Sequence, residues 1–207
     1  MAGLPYHAAP AYVNRLLTAG WKVAICDQLE APVAGKLVRR GLTRILTPGT
    51  ALEDSQLDSR RGNYLAALSW DKHGWHASWL DVSTADFRLA TDQNPQRLLP
   101  LLHSVSPREV ILPEGLEPPP EFREAFEVFM QGRAVSRLPG WNFEVAAGAR
   151  LVAQTLAVHG LAGFGLTEEH PALGAAGAVL GYVTDSLCDR PKNLFRLIEA
   201  KLGAAVL

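Results

Sequence analysis

The stretch NYLAALSWDKHGWHASWLDVSTADFRLAT (residues 63–91) carries the clearest pattern in the chain. It contains three runs rich in apolar, aromatic and β-branched residues, at 64–70, 76–83 and 85–91. Four turn-forming residues (DKHG) separate the first two runs, and a short Ser-Thr turn separates the last two. Runs of this length between turns are typical of β-strands, and strands joined by such short loops pair antiparallel. The stretch therefore predicts a three-stranded antiparallel meander that begins at Asn63.

Helices and strands alternate after the meander. Asn94 and Pro95 form an N-cap and first-turn signal, and apolar residues at helical spacing follow them up to Val105. The later segments predict a strand at 108–113, a short helix at 121–127, a strand at 128–130, and helices at 144–158 and 171–187. Three antiparallel strands followed by alternating helices and strands are similar to the ribonuclease-H-like fold. We therefore expect an α/β domain over residues 63–187.

A smaller α/β unit precedes this domain. Its sequence predicts a helix at 10–19 and strands at 21–26 and 42–47, closed by a Pro-Gly turn. This unit is too short to cover its own apolar face, so we expect part of that face to stay exposed. The polar, turn-rich residues 51–62 read as a linker.

Composition narrows the class of protein. The chain is 48% hydrophobic and 20% charged, as expected of a soluble globular protein. No run of about 18 apolar residues is present, so we expect no membrane span. The first residues lack the basic and apolar regions of a secretion signal. Cys26 and Cys188 stand far apart, which favours reduced, buried thiols and a cytoplasmic location.

The net charge of −1 hides an uneven distribution. Residues 1–50 carry six Lys or Arg against two Asp or Glu, so the remaining residues carry a net −5. A basic stretch of this kind is a candidate contact for nucleic-acid phosphates, although a solvated basic face is the alternative. The candidate residues for the DNA backbone are Lys36, Arg39, Arg40 and Arg44.

If the chain were an enzyme, its one candidate catalytic residue would be Asp81, on an early strand of the expected fold. Nucleases of that fold hold two metal ions with several carboxylates, but the predicted helix up to Val105 has no acid, and Glu109 is the only one near the next strand. We therefore expect no catalytic residue and no metal, and Asp81 to end its strand or make a local hydrogen bond. A metal-dependent nuclease that uses Asp81 is kept as the alternative.

No phosphate-loop pattern occurs, and no histidines show metal-ligand spacing. His73 and His76 flank a turn and are expected to be solvated.

Three tryptophans, at 70, 75 and 79, cluster on the meander. Such aromatics can stack on single-stranded nucleic acid, but cross-strand core packing is the more frequent role. The surrounding negative charge favours the core interpretation.

Several motifs occur in the same order as in one known family. MAGLPYHAAPAYVNRLL, VAICDQLEAP and RILTPGT, followed by NYLAAL, WLDVSTADFRL, PREVILPEG, WNFE, GFGL and AAGAVLGYV, resemble consecutive motifs of the bacterial MutS DNA mismatch-repair family. The resemblance runs along essentially the whole chain. It implies that residues 1–50 are the second half of the mismatch-binding domain, that 63–187 are the connector domain, and that 188–207 begin the lever and core domain.

The resemblance also implies what to expect of function. In the family, the Gly-Asp-Phe-Tyr-Glu motif that wedges at the mismatch belongs to the first half of the mismatch-binding domain, and this sequence does not contain it. The implied role is therefore that of a non-catalytic fragment that links the DNA-binding domain to the ATPase core. A free-standing, non-specific nucleic-acid-binding module is a further alternative. ATP and Mg would bind a C-terminal domain outside this chain, and no cofactor is expected within it.

The resemblance implies three partners for the whole protein: mismatched double-stranded DNA, MutL and a second copy in a homodimer. The connector of the family is implicated in docking MutL, and the helix that follows WNFE (141–144) is the candidate surface. Its candidate residues are Ala149 and Arg150.

Overall fold

The computed structural model describes residues 3–31, 38–50, 62–189, 191 and 193–202. The first unit contains helix α1 (Ala9–Thr18) and an antiparallel pair of strands, β1 (Val23–Gln28) and β2 (Arg40–Leu46). The second contains strands β3 (Tyr64–Asp71), β4 (Gly74–Asp81), β5 (Asp86–Asp92), β6 (Glu109–Pro113), β7 (Ala134–Leu138) and β8 (Ile198–Glu199). Its helices are α2 (Pro95–Val105), α3 (Arg123–Met130), α4 (Val145–Thr155) and α5 (Leu173–Leu187).

The described strands of the second unit form one mixed sheet in the order β7-β6-β3-β4-β5-β8. Strands β3, β4 and β5 pair antiparallel, which confirms the predicted meander. Strand β6 adds parallel to β3, β7 adds parallel to β6, and β8 adds parallel to β5. The class is therefore α/β with a mixed sheet, as expected. The ribonuclease-H-like assignment stays a prediction.

Helices cover both faces of this sheet. Leu65 and Ala67 of β3 pack in the cluster that contains α4 and α5. Ala66 and Leu68, on the opposite face of the same strand, pack in the cluster that contains α2 and α3. Burial on both faces explains why β3 reads as a continuous apolar run instead of an alternating one.

Helix α2 begins as predicted, because the Asn94 side chain accepts a hydrogen bond from the Gln96 N–H at 2.9 Å. The predicted strand at 128–130 is wrong. Those residues are the last turn of α3, whose Phe126 and Phe129 are buried against the sheet. The strand instead starts after a turn, at Ala134.

Helices α4 and α5 touch backbone to backbone. A Cβ atom on Gly148 of α4 would overlap the carbonyl oxygen of Leu173 and lie 2.7 Å from its carbonyl carbon. A Cβ on Gly177 of α5 would lie 2.5 Å from the Cα of Gly148. The small residues of α5, expected from the sequence to permit close packing, therefore serve this crossing.

Among the described residues of the first unit, Val13, Leu17 and Leu46 form a small core. Large apolar side chains of the same unit remain exposed, among them Trp21 at 65% and Leu29 at 61%. This agrees with the expectation that the unit cannot cover its own apolar face. The predicted linker 51–62 lies, except for Gly62, outside the described residues.

Two further expectations are corrected. Both cysteines are free but exposed, not buried: Cys26 lies in the exposed half of β1, and Cys188 ends α5 with φ of 51°. His76 is buried, not solvated, with ring nitrogens 2.8 Å from Thr91 Oγ1 and 3.1 Å from Asp71 Oδ1. In the part of the chain that is described, no helix is long and apolar enough to cross a membrane.

Candidate nucleic-acid interface and partner surface

Three of the four candidate phosphate contacts lie together at strand β2. Arg40 opens the strand, Arg39 directly precedes it, and both are exposed. Arg44 lies further along the strand and is half-buried. Lys36 lies outside the described residues. The structure thus brings the described members of the predicted cluster to one strand.

Acidic side chains share this strand pair, which the linear sequence did not indicate. The Arg39 N–H donates to Glu30 Oε1 at 2.9 Å, and the Thr43 hydroxyl donates to Asp27 Oδ2 at 2.8 Å. Together with the three arginines, these two carboxylates leave the described strand pair at a net charge of +1. Asp27 and Glu30 thus offset two of the three arginine charges of the described strand pair.

Strand β2 runs directly into a buried turn that contacts the second unit. Thr47 and Thr50 are fully buried, and the turn closes on itself through the Thr47 N–H, which donates to Thr50 Oγ1 at 3.1 Å. The next amide, the Gly49 N–H, points outward from the turn and donates to Glu109 Oε2 at 3.0 Å. A carboxylate of β6 thus accepts a bond from the first unit.

The other oxygen of Glu109 is held within the second unit. Glu109 Oε1 accepts hydrogen bonds from the Ser136 hydroxyl of β7 and the Tyr182 hydroxyl of α5, both at 2.5 Å. The Tyr182 hydroxyl also lies 3.1 Å from the Ser136 hydroxyl. Burial, followed by the charge of Glu109 and its hydrogen bond, raises the pKa of Tyr182, so the phenol stays protonated and able to donate.

Sequence reasoning missed this cluster. Glu109 was considered only as a possible metal ligand. Its one signal is an acid that opens an otherwise apolar strand, EVILP. A fully buried carboxylate requires partners, but the partners come from residues 60 or more positions before and 27 or more after it, so their identity is not readable locally.

Asp81 makes local hydrogen bonds, as expected. Its Oδ2 accepts from the Asn63 N–H at 3.0 Å, and its Oδ1 accepts from the Ser83 N–H at 2.9 Å and the Ser83 hydroxyl at 2.6 Å. The residue is only 2% exposed. Within the described ranges, no group of three His, Cys, Asp or Glu side chains is placed to hold a metal ion.

The tryptophans of the meander lie in the core. Trp75 is 3% and Trp79 is 2% exposed, and Trp70 stacks on Trp75 with ring centroids 4.5 Å apart. Neither buried ring presents a face to solvent on which a base can stack. The core-packing interpretation is therefore confirmed for Trp75 and Trp79, while Trp70 is half-buried and packs against the same cluster.

The two candidate residues for partner docking separate in the structure. Ala149 is only 3% exposed, because it faces α5 beside Gly148, so it is not available to a partner. Arg150 is exposed on the outer side of α4, together with Ala146 and Gln154. A 3-10 turn, Gly140–Phe143, comes just before α4, and its Trp141 is 67% exposed. The candidate surface is therefore Arg150 with this outer face.

Comparison with known proteins identifies both units. A family model described as MutS domain I matches residues 1–55, and one described as MutS domain II matches residues 63–194.

Full-length relatives agree with these matches. The DNA mismatch repair protein MutS of Myxococcus xanthus is 37% identical over 208 residues, which cover 100% of this chain and 23% of the relative. Its counterpart in Symbiobacterium thermophilum is 41% identical over 189 residues, 89% of this chain and 21% of the relative. That of Syntrophobacter fumaroxidans is 39% identical, over 98% of this chain and 23% of the relative. The chain spans less than a quarter of the length of these relatives, and it belongs to the MutS family of DNA mismatch-repair proteins.

Proposed function

We propose that this chain is a non-catalytic part of a mismatch-recognition protein, in which the first unit contacts the DNA backbone and the second unit links it to the remaining domains. The observation that carries this proposal is the arrangement of strand β2. It presents exposed arginine at one end and continues into a buried turn held by the second unit at the other. Such a strand can both touch phosphates and transmit their position. Arginine contacts of this type give affinity and register without reading sequence.

The proposal predicts weak, salt-dependent DNA binding. The double substitution Arg39→Glu with Arg40→Glu is expected to lower affinity for duplex DNA about tenfold or more. It is also expected to reduce the slope of log affinity against log salt by about 2, since two phosphate contacts are lost. Fluorescence anisotropy with a labelled duplex at several salt concentrations measures both quantities.

A matched control reverses two exposed arginines elsewhere, Arg123 of α3 and Arg150 of α4. This variant has the same net charge but keeps β2 intact, so its affinity and salt slope are expected to stay near those of the parent chain. Equal losses in both variants would mean that net charge, not β2, governs binding.

The remaining assignments follow the same family. We propose that 51–62 act as a linker, that 63–187 form the ribonuclease-H-like connector, and that 188–207 lead into the next domain. The order of strands β3 to β7 supports the connector assignment. Mismatch recognition, ATP and Mg binding, homodimer formation and a cytoplasmic location are proposed for the whole protein.

We further propose that the outer face of α4 docks MutL. Arg150 is exposed on this face, and Trp141 is exposed in the 3-10 turn just before α4; both side-chain types are enriched at interface hot spots. Arg150→Glu is expected to weaken MutL binding about tenfold, because a central Arg typically contributes more than about 1 kcal/mol. Surface plasmon resonance with immobilised MutL measures the change.

Arg123→Glu provides the matched control for docking. Arg123 is exposed like Arg150, but it belongs to α3 on the opposite face of the sheet. We expect it to leave MutL binding unchanged. If both substitutions weakened MutL binding equally, or if neither weakened it, α4 would not be part of the docking surface.

A further inference from the structure

The two units meet at a small set of buried polar groups. Glu109, Ser136 and Tyr182 belong to the second unit, and Gly49 and Thr47, which closes the turn around Gly49, belong to the first. We propose that these five residues form a joint that fixes the orientation of strand β2 on the connector, with Glu109 and Tyr182 as its positioning residues. The consequence for DNA contact rests on the proposed function, but the joint itself does not.

The carboxylate of Glu109 divides its two oxygens between the units. Oε2 accepts a hydrogen bond from the backbone amide of Gly49, and Oε1 accepts hydrogen bonds from the hydroxyls of Ser136 and Tyr182. The side chain is 0% exposed, so water cannot replace any of these bonds. A buried polar group that loses its partner pays its full desolvation penalty, and the Gly49 amide therefore depends on this carboxylate.

The start of β1 and the end of β2, which together form one end of the strand pair, lie next to the joint. Thr47 directly follows β2 and is fully buried in the turn whose Gly49 N–H donates to Glu109. Lys22 directly precedes β1, and its Nζ lies 5.2 Å from the centroid of the Tyr182 ring. Val23 and Leu46, the terminal residues of the two strands, pair with each other. The end of the pair near Tyr182 is thus held, whereas its far end carries Arg40.

The turn packs closely against the second unit at Gly49. A Cβ on Gly49 would lie 2.9 Å from Leu65 Cδ1 and 3.0 Å from Glu109 Cβ, so the turn rests directly on the starts of β3 and β6. Shape and hydrogen bonding select the same placement of the turn. Because β2 continues from the turn without an intervening loop, the placement of the turn sets the direction of β2.

Hydrogen exchange on the whole 207-residue chain tests the joint without DNA. Glu109→Met keeps the length of the side chain and removes both acceptors. The amides of Gly49 and of β2 are expected to exchange about tenfold faster or more, as the loss of a hydrogen bond to a charged acceptor implies. The amides of β4, at the centre of the sheet, are expected to change less than about threefold, since local opening leaves the core closed.

Glu109→Gln is the conservative variant. Its amide oxygen can accept from the Gly49 N–H while its NH₂ donates to the two hydroxyls, which rotate to accept. Exchange at Gly49 is therefore expected to stay within about threefold of the parent chain. If Glu109 mattered only for its bulk, the Met and Gln variants would show the same exchange rate at Gly49.

Tyr182→Phe gives an independent reading if the Met variant does not fold. It removes the hydroxyl that contacts Glu109 and Ser136 but keeps the ring beneath Lys22. Faster exchange confined to β2 and the turn supports the joint. Acceleration of β4 by the same factor, or no acceleration at Gly49 in whichever of Glu109→Met and Tyr182→Phe folds, overturns it. Because DNA is absent, failure here is distinct from failure of the proposed DNA contact.

Discussion

Replacing Trp75 with alanine is expected to lower the free energy of unfolding by about 3–5 kcal/mol, the usual cost of removing a large aromatic side chain from a core. The ring is 3% exposed and stacks on Trp70 at an interplanar angle of 26°. Phe122 of the turn before α3 and Phe126 of α3 contact it at centroid distances of 6.1 and 6.5 Å. The substitution thus removes the centre of an aromatic cluster that joins the meander to α3. Urea denaturation followed by far-ultraviolet circular dichroism measures the loss.

Trp141→Ala is the matched control, because that ring is 67% exposed and lies outside both cores of the second unit. Its cost is expected to be within about 0.5 kcal/mol, as for most surface positions. If Trp75→Ala cost no more than Trp141→Ala, the core role of the meander tryptophans would be refuted and a stacking role would return.

The second large effect is expected at the crossing of α4 and α5. Gly148→Ala is expected to lower the free energy of unfolding by about 2–3 kcal/mol, because a methyl group must displace backbone instead of a flexible side chain. Its Cβ would overlap the Leu173 carbonyl, and the Cα of Gly148 already lies against Gly177. Relief requires the two helices to separate along their whole contact. Chemical denaturation of the variant and the parent chain measures the difference.

Gly181→Ala is the control substitution in which the added methyl group meets no backbone. Gly181 is in α5, but the nearest atom to its Cβ would be Leu151 Cδ2 at 4.0 Å, an ordinary contact. Alanine there is expected to stabilise the chain by up to about 1 kcal/mol through helix propensity. Opposite signs at 148 and 181 are the expected result, and equal effects at the two positions would refute the backbone contact.

Local patterns predicted most of the second unit. The meander, the Asn94 cap of α2 and the helices α4 and α5 all follow from short-range periodicity and turn chemistry. The short segment 128–130 failed because three apolar residues fit a strand and the end of a helix equally well. Only the packing of Phe126 and Phe129 on the sheet distinguishes the two.

The candidate site was less predictable, because its properties depend on residues that are distant along the chain. Ala149 and Arg150 are neighbours in sequence, yet the contact with α5 buries one and leaves the other exposed. The basic cluster is uninterrupted in sequence, yet strand pairing places Asp27 and Glu30 beside it. Glu109 gains its role from three distant elements.

The two exposed cysteines are natural attachment sites for labels on the two units. The sequence contains two cysteines, and one lies in each unit: Cys26 in β1 and Cys188 at the end of α5. Thiol-reactive spin labels or fluorophores therefore attach at both sides of the Glu109 contact without any engineered residue. The separation between such labels reports directly on rotation of β2 against the connector, in the native sequence and in any longer protein in which these remain the reactive thiols.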